Sequence, residues 1–334
     1  MSMINECMDF KNMLEYVHLD EKWFYITQER RRFYVVPGEK EPERHCKSKR
    51  YIINVMFLSA VAHPRYVDDT EMWWDGKIGT WPFVESVRAE RNSVNRPAGT
   101  LETKSVNVTK DVYRSFLVDK VLPAIVAKWP CPSKIVKLQH DNARAHVTTN
   151  DADLNKVFSE YALRGWTLSL APQPPNSPDM NVLDLGFFAA IQALQHKSSA
   201  RSIDELVANV ARAFDEYPYE RLGHTFLSLQ ACMVETWIRF GDNTYKVAHH
   251  SKVKNERVGN LRQNARCPRD VFLAAKAYLN ATDAAAMERD FEVERREDKE
   301  MNDLSRRLQS MAMDEELLDA LKKMNIVPIS VEME

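Results

Sequence analysis

The stretch HLDEKWFY, residues 18–25, sets two adjacent acids, Asp20 and Glu21, inside a run of bulky residues that reads as a β-strand. An aspartate in an apolar strand has to be hydrogen-bonded, paired or bound to a cation. By the two-residue period of a strand, Asp20 shares a face with His18 and Lys22, so pairing with Lys22 across one pleat is the ordinary explanation. The cation explanation needs further carboxylates brought to the same place by the rest of the chain.

Outward from this stretch, the first third reads as β. Tyr16 to Ile26 is one strand. Arg32 to Val36 is a second, closed by the turn signal Pro37-Gly38. Tyr51 to Ala62 is a third, with the long apolar run of a strand buried on both faces. Residues 68–99 are polar, tryptophan-rich and poorly periodic, and read as a long insertion or loop. Thr109 to Trp129 predicts a helix, with Val112, Phe116, Leu117, Val121 and Ile125 near helical spacing. A strand from Lys134 to His140, a helix from Asp151 to Leu163 and a strand from Trp166 to Leu170 follow. The prolines of APQPPNSPD, 171–179, exclude helix and central strand. A helix then runs from near Asn181 to about Lys197, and residues 202–240 add two more. This order predicts an α/β fold whose mixed sheet starts antiparallel and carries flanking helices, not an all-parallel doubly wound sheet. Beyond about Pro268 the composition changes. Ala281 to Met324 is charge-dense, helix-forming and free of Gly and Pro.

With 334 residues the chain can hold one large domain or two ordinary ones. Its 46 Lys plus Arg against 48 Asp plus Glu lend no support to a nucleic-acid partner, so any such contact must come from local patches. The five cysteines form no C-x-x-C pair, which argues against a zinc knuckle or a disulfide framework and fits a reducing compartment. No apolar run reaches the length of a membrane span, and the polar N-terminus does not read as a signal peptide.

Two further acids stand where the fold can deliver them. Asp141 directly follows a strand in QHDNARAH, 139–146. Asp184 opens a helix in SPDMNVLDLGFF, 177–188, where Asp184, Phe187, Phe188 and Ile191 fall at i, i+3, i+4 and i+7, placing the carboxylate on the apolar stripe. Taken singly, Asp141 reads as an Asx turn and Asp184 as first-turn helix electrostatics. Asp179, after Ser-Pro, reads as a structural helix cap. Taken together, Asp20, Asp141 and Asp184 are a donor set for hard divalent ions, which take oxygen ligands. Two such ions about 4 Å apart stabilise the attacking and leaving oxygens of an in-line phosphodiester displacement.

These stretches, with CKSKRYIINVMFLSAVAHPR (46–65), GKIGTWPFVE (76–85), NRPAGTLETKSVNVTKDVYR (95–114), PQPPNSPDMNVLDLGFFAAIQALQ (172–195) and LSLQACMVETWIRFGDNTYKVAHH (227–250), resemble the catalytic region of mariner-type transposases over roughly Tyr16 to Val247. They are most similar to the branch known from plants, with three aspartates. The resemblance implies a ribonuclease H-like fold and a DDE-type DNA endonuclease and strand transferase. It assigns Asp20, Asp141 and Asp184 as the catalytic and metal-binding acids, with two Mg²⁺ or Mn²⁺ ions. It implies DNA partners, namely transposon ends and a TA target, together with a possible homodimer, no membrane and a nuclear location.

The chain departs from the family pattern in places. Ala145 replaces a proline in D-N-A-R-P-H, and a small insertion is expected near Asn150 to Asp153. Nineteen residues precede Asp20, too few for the family's helix-turn-helix units. The expectation is therefore an endonuclease core that lacks sequence-specific reading and cuts without sequence preference. The alternative is a domesticated or degenerate derivative that binds DNA or protein without transposing. A ribonuclease H acting on hybrids shares the fold, but the motif set argues against it. The expected division is 1–247 catalytic domain, 248–280 linker and short helix, and 281–334 charged helical tail.

Arg30, Arg31, Arg32, Lys47, Lys49 and Arg50 read either as a phosphate-contacting patch or as a solvated hairpin diluted by glutamates. His146 reads as a DNA contact or as a residue that orients an acid. A lone loop histidine is more often neither. Trp73, Trp74 and Trp81 read as packing residues before base-stacking ones. In the tail, Leu304, Leu308, Met311, Leu318 and Leu321 break heptad spacing and suggest an ordinary amphipathic helix.

Overall fold

The computed structural model describes residues 2–4, 7–26, 52–92, 96–130, 132–174, 177–242, 244–245, 262–282 and scattered positions from 289 to 304. The chain forms β1 (Ser2–Ile4), β2 (Cys7–Asp9), β3 (Tyr16–Tyr25), β4 (Asn54–Ala62), β5 (Arg65–Val67), β6 (Met72–Trp74), β7 (Lys77–Pro82), β8 (Val84–Arg88) and β9 (Leu101–Ser105). Next come α1 (Lys110–Phe116) and α2 (Leu122–Lys128), joined through a π turn at Leu117–Val121. Pro123 has no N–H to give, so the ladder widens just before it. Then come β10 (Ile135–His140), α3 (Ala152–Ala162), β11 (Thr167–Pro172), a 3₁₀ turn at Pro178–Met180 and a π turn at Leu183–Phe187. The chain continues into α4 (Phe188–Gln195), α5 (Ile203–Glu216), α6 (Tyr219–Ile238), β12 (Arg266–Pro268) and α7 (Arg269–Ala281).

The central sheet has the order β11-β10-β3-β4-β7. β4 runs antiparallel to β3 and to β7, whereas β10 runs parallel to β3 and to β11. An antiparallel meander of three strands followed by two parallel ones is the ribonuclease H-like arrangement. Strand alternation divides the side chains between two layers. Val17, Leu19, Leu58, Ala60, Val136 and Leu138 pack with Tyr113, Leu117, Val121, Ile125 and Leu154 of the α1–α3 side. Phe24, Phe57 and Val61 pack with Phe187, Ile191, Leu206, Phe214 and Phe226 of the α4–α6 side.

Residues 68–99 are not an insertion. They hold the sheet's outer strand, β7, together with β6 and β8. The turn into β7 depends on Gly76, whose φ is +75° and whose carbonyl accepts from Ala62 N at 2.8 Å. A Cβ there would stand 2.2 Å from Ala62 O, so the turn admits only glycine. The third antiparallel strand is thus Lys77–Pro82, while Arg32 to Val36 lies outside the described residues. The tryptophans pack. Trp81 lies in the α1–α3 layer, Trp74 covers the Arg65 guanidinium at 4.8 Å, and the half-exposed Trp73 stacks on Tyr219.

β12 pairs with β2, and Phe272 of α7 packs edge-on against Trp237 of α6. One compact unit spans Met1–Ala281, and Thr282–Glu334 is a second. In the second, the described positions from Arg289 to Leu304 are helical. Leu308, Met311, Leu318 and Leu321 lie outside the described residues. Among the described residues no helix is long and apolar enough to cross a membrane.

Candidate active site

Asp20 sits in mid-strand on the α4–α6 face of β3, opposite Ser59 of β4, and is nine-tenths buried. Ser59 in turn pairs with Thr80 of β7 and shares a 2.9 Å hydrogen bond with its hydroxyl, so a polar row crosses the apolar sheet at this level. Asp20 Oδ1 accepts from Glu21 N at 2.7 Å and Oδ2 from Asn181 Nδ2 at 2.8 Å. The pairing with Lys22 is not formed. Lys22 reaches over the Phe188 ring at 5.8 Å, and its charge acts on Asp184.

The parallel register of β10 against β3 matches Gln139 with His18. Carried two residues further, it sets Asp141 beside Asp20. Asp184 comes from the opposite direction, on the π turn that precedes α4, and its carboxyl shares a hydrogen bond with that of Asp20. The three acids named from sequence therefore meet on one face of the sheet. Asp184 does not lie on the buried stripe, however, and is exposed. The i, i+3, i+4 count assumes a regular α-helix, and the π turn, with its i to i+5 bonds, shifts the phase between Asp184 and Phe187. Asp179 does not cap the helix. It accepts from the Tyr245 hydroxyl, and the capping bond comes from Asn181, whose Oδ1 accepts from Leu183 N at 3.0 Å.

Electrostatics mark the cluster. Burial, followed by the charges of Asp184, Glu21 and Asp141, pushes the Asp20 carboxyl well above the usual carboxylate range. Burial also raises Asp184, although the Asp20 hydrogen bond and Lys22 work against it. Asp20 is the more buried of the two. Asp141 behaves differently. Burial works to raise it, but the hydrogen bond and charge of His146, the Ala143 amide and His140 hold it below the usual range.

His146 is buried, not a solvent-facing DNA contact. Its Nδ1 lies 2.7 Å from Asp141 Oδ1, and its Nε2 lies 2.9 Å from Glu21 Oε2. Burial opposes its protonation, but Glu21 and Asp141 outweigh burial and raise it well above the ordinary histidine value, so both ring nitrogens donate. The ring stacks on Tyr113 at 4.2 Å and lies 5.2 Å from His140. Burial and the charge of His146 lower His140 to about 3, so it stays neutral beside the Tyr113 hydroxyl. Glu21 stood out in the sequence only as the second of two adjacent acids, and Asn181 hardly at all. Asn181 carried one signal, its place three residues before Asp184.

Among the described residues no group of three or more His, Cys, Asp and Glu side chains stands in finished metal-ligating geometry. Asp20 and Asp184 are hydrogen-bonded to each other, and Asp141 is turned to His146. The donor set still fits a hard divalent ion: the carboxyls of Asp20, Asp141 and Asp184 lie together, and the cations that act on them among the described residues include His146 and Lys22. Arg30, Arg31, Arg32, Lys47, Lys49 and Arg50 lie outside the described residues.

No protein-family model and no curated protein matches the chain. Solved structures do. The Mos1 transposase paired-end complex with left transposon end is 17% identical, with a TM-score of 0.44, over 65% of this chain and 52% of that one. A pre-cleavage Mos1 transpososome is 17% identical, with a TM-score of 0.45, over 65% and 53%. A Mos1 transposase catalytic domain with Raltegravir and Mn is 16% identical, with a TM-score of 0.37, over 65% and 78%. The chain thus spans about half the length of the first two. A likeness of that size carries no argument about chemistry, and the ribonuclease H-like fold rests on strand order and direction. In sum of comparison, about two thirds of this chain is similar to structures of Mos1 mariner transposase.

Proposed function

We propose that the chain carries a divalent-metal-dependent DNA endonuclease and strand-transferase core of mariner type. The observation that carries this is the buried Asp20 carboxyl, hydrogen-bonded to Asp184, with Asp141 beside it on one face of the sheet. An apolar sheet that gathers excess negative charge at one point is built for a cation. The ordered motifs of the sequence, from HLDEKWFY to the helix after SPDMNVLD, supply the DNA and transposase part of the reading.

Asp20, Asp141 and Asp184 would hold one or two Mg²⁺ or Mn²⁺ ions. When bound, such ions neutralise charge on the phosphate and on the attacking and leaving oxygens. The chain's own part is placement. Asn181 and the Glu21 amide fix the Asp20 oxygens, and the Ala143 amide and His146 fix Asp141. Asp184 is exposed and so open to a phosphate from solvent. In the cleavage step a water oxygen attacks phosphorus, the P–O3′ bond breaks, and the water proton leaves as the 3′ hydroxyl forms. In strand transfer a 3′ hydroxyl takes the place of water.

The test is nicking of supercoiled plasmid and of inverted-repeat duplexes with Mn²⁺, at low and moderate salt, for the parent and for Asp141→Asn and Asp184→Asn. The parent is expected to nick, more at low salt because phosphate contacts weaken with salt, and both variants to lose it. A silent parent at low salt, or an Asp141→Asn variant that nicks like the parent, replaces this reading with a non-catalytic DNA- or protein-binding derivative.

A further inference from the structure

We infer that Glu21 and His146 are positioning residues that brace Asp141 for a cation. The inference rests on the metal-site reading above and names the chain's own support for one of its ligands.

Asp141 stands just past the end of β10, where no strand partner orients it, and the residues that follow, Asn142, Ala143 and Arg144, are exposed. Left to itself such a carboxylate would sample several rotamers. Two donors prevent this, and both act on the same atom. Ala143 N reaches Oδ1 at 2.9 Å, and His146 Nδ1 reaches Oδ1 at 2.7 Å. Hydrogen bonds of this kind are how outer groups orient a carboxylate ligand.

His146 can act as a brace only if it is itself immobile, and three contacts make it so. The imidazole side chain is 4% exposed. It lies flat on the buried Tyr113 ring, 4.2 Å away at 18°. Its far nitrogen is gripped by both Glu21 oxygens, at 3.1 and 2.9 Å. Water cannot readily replace Glu21, whose side chain is 11% exposed.

The placement of Glu21 answers why two acids stand side by side in β3. Strand alternation sends Asp20 to the α4–α6 layer and Glu21 to the α1–α3 layer. One dipeptide thus supplies a ligand on one face and, through His146, the support of a second ligand from the other. A buried ion pair that only fixes the 141–146 loop would show the same bonds, so the test must separate bracing from stability.

The experiment measures Mn²⁺ binding to the full chain without DNA, by the electron paramagnetic resonance signal of free Mn²⁺, alongside the Mn²⁺ dependence of nicking. His146→Ala is expected to weaken Mn²⁺ binding by about 10- to 100-fold, the usual effect of losing an outer-shell partner. It should raise the Mn²⁺ needed for half-maximal nicking by a similar factor, with kcat at saturating Mn²⁺ changed far less. His146→Asn keeps an amide near the Nδ1 position and should recover much of the loss. Glu21→Gln should fall between parent and His146→Ala. Phe214→Leu, a packing defect in the other layer, should lower the melting temperature without changing Mn²⁺ affinity. If His146→Ala does not fold, His146→Asn and Glu21→Gln decide, and parent-like Mn²⁺ affinity in both overturns the brace. Parent-like affinity in His146→Ala also overturns it, and if Asp184→Asn has meanwhile lost Mn²⁺, the metal site itself stands. Mn²⁺ binding that is absent from the parent, or unchanged by Asp184→Asn, removes the metal site and the brace together.

Discussion

Asn181 Nδ2 donates to Asp20 Oδ2 at 2.8 Å, and Asn181 Oδ1 accepts from Leu183 N at 3.0 Å. One buried amide therefore ties the turn that carries Asp184 to the middle of the strand that carries Asp20. Asn181→Ala removes both bonds and leaves a buried carboxyl oxygen without its donor, which costs about 1–3 kcal/mol. The melting temperature should fall by several degrees, at roughly 2–4 °C per kcal/mol for a chain of this size. Asn181→Asp adds a further acid to the cluster and should fall more without metal than with millimolar Mn²⁺. Thermal melts with and without Mn²⁺ check both, and an Asn181→Asp loss that ignores Mn²⁺ would contradict the cluster electrostatics.

Asp184→Asn should behave in the opposite way. The folded state raises both Asp20 and Asp184 above the usual carboxylate range, so at neutral pH it bears a cost that the unfolded chain does not. Removing one charge relieves that cost, and the metal-free variant should melt above the parent. Mn²⁺ should stabilise the parent by mass action, about 2.7 kcal/mol at a hundred times its dissociation constant, and the variant far less. Calorimetry across a Mn²⁺ series checks this. A variant that melts lower and keeps the full Mn²⁺ shift would show that the acids are paired, not mutually repelled.

Elements with a continuous apolar face were legible, and pairings without a local pattern were not. β3, β4 and the α1–α2 rod announced themselves because each buries a continuous apolar face. β7 did not: on it Lys77, Gly79 and Thr80 interrupt any alternation around Ile78 and Trp81, and it is held by its ladder to β4 and by the Gly76 turn. The grouping of Asp20, Asp141 and Asp184 was expected from one acid in mid-strand, one just past a strand and one at a helix start, together with the motif resemblance. The exposure of Asp184 was not, because a π turn is invisible to a 3.6-residue count. Glu21 and His146 meet across 125 positions, and no local pattern reports such a pair.

Lys77 offers a test of architecture that leaves the site alone. Its buried ammonium, drawn from the start of β7, donates to the Asp215 and Tyr217 carbonyls at the end of α5 and lies 3.4 Å from Asp75. A cation there satisfies helix C-terminal carbonyls and complements the helix dipole. Lys77→Met keeps the stem and strands two carbonyls, a loss of about 1–3 kcal/mol. The expected result is a lower urea midpoint with the Mn²⁺ shift of the parent. A midpoint equal to the parent's would mean that water replaces the ammonium.

Acid should weaken the fold through a pair of histidines unrelated to the carboxylate cluster. His18 of β3 and His63 just after β4 both pack edge-on against Phe226 of α6, at 5.4 and 4.6 Å. Burial, and then the neighbouring His63, lowers His18 to about 3. Burial and Arg65 outweigh the Pro64 backbone and lower His63 to about 4. Both rings are therefore neutral in the folded protein, while the unfolded chain takes up protons below about pH 6.5. Their contribution is complete above that pH and is lost as pH falls toward 4 and then 3, at about 1.4 kcal/mol per pH unit for each ring. Asp20 and Asp184 act with the opposite sign, since a raised carboxyl gains protons in the folded state first. His18→Leu removes one of the two rings and keeps an apolar side chain against Phe226. Urea midpoints from pH 7.5 to 4.5 should fall less steeply in His18→Leu than in the parent, by about 1.4 kcal/mol per pH unit below pH 6.5. Equal slopes in the two proteins would show that His18 finds a proton partner in the folded state, contrary to the bare, fully buried ring seen in the structure.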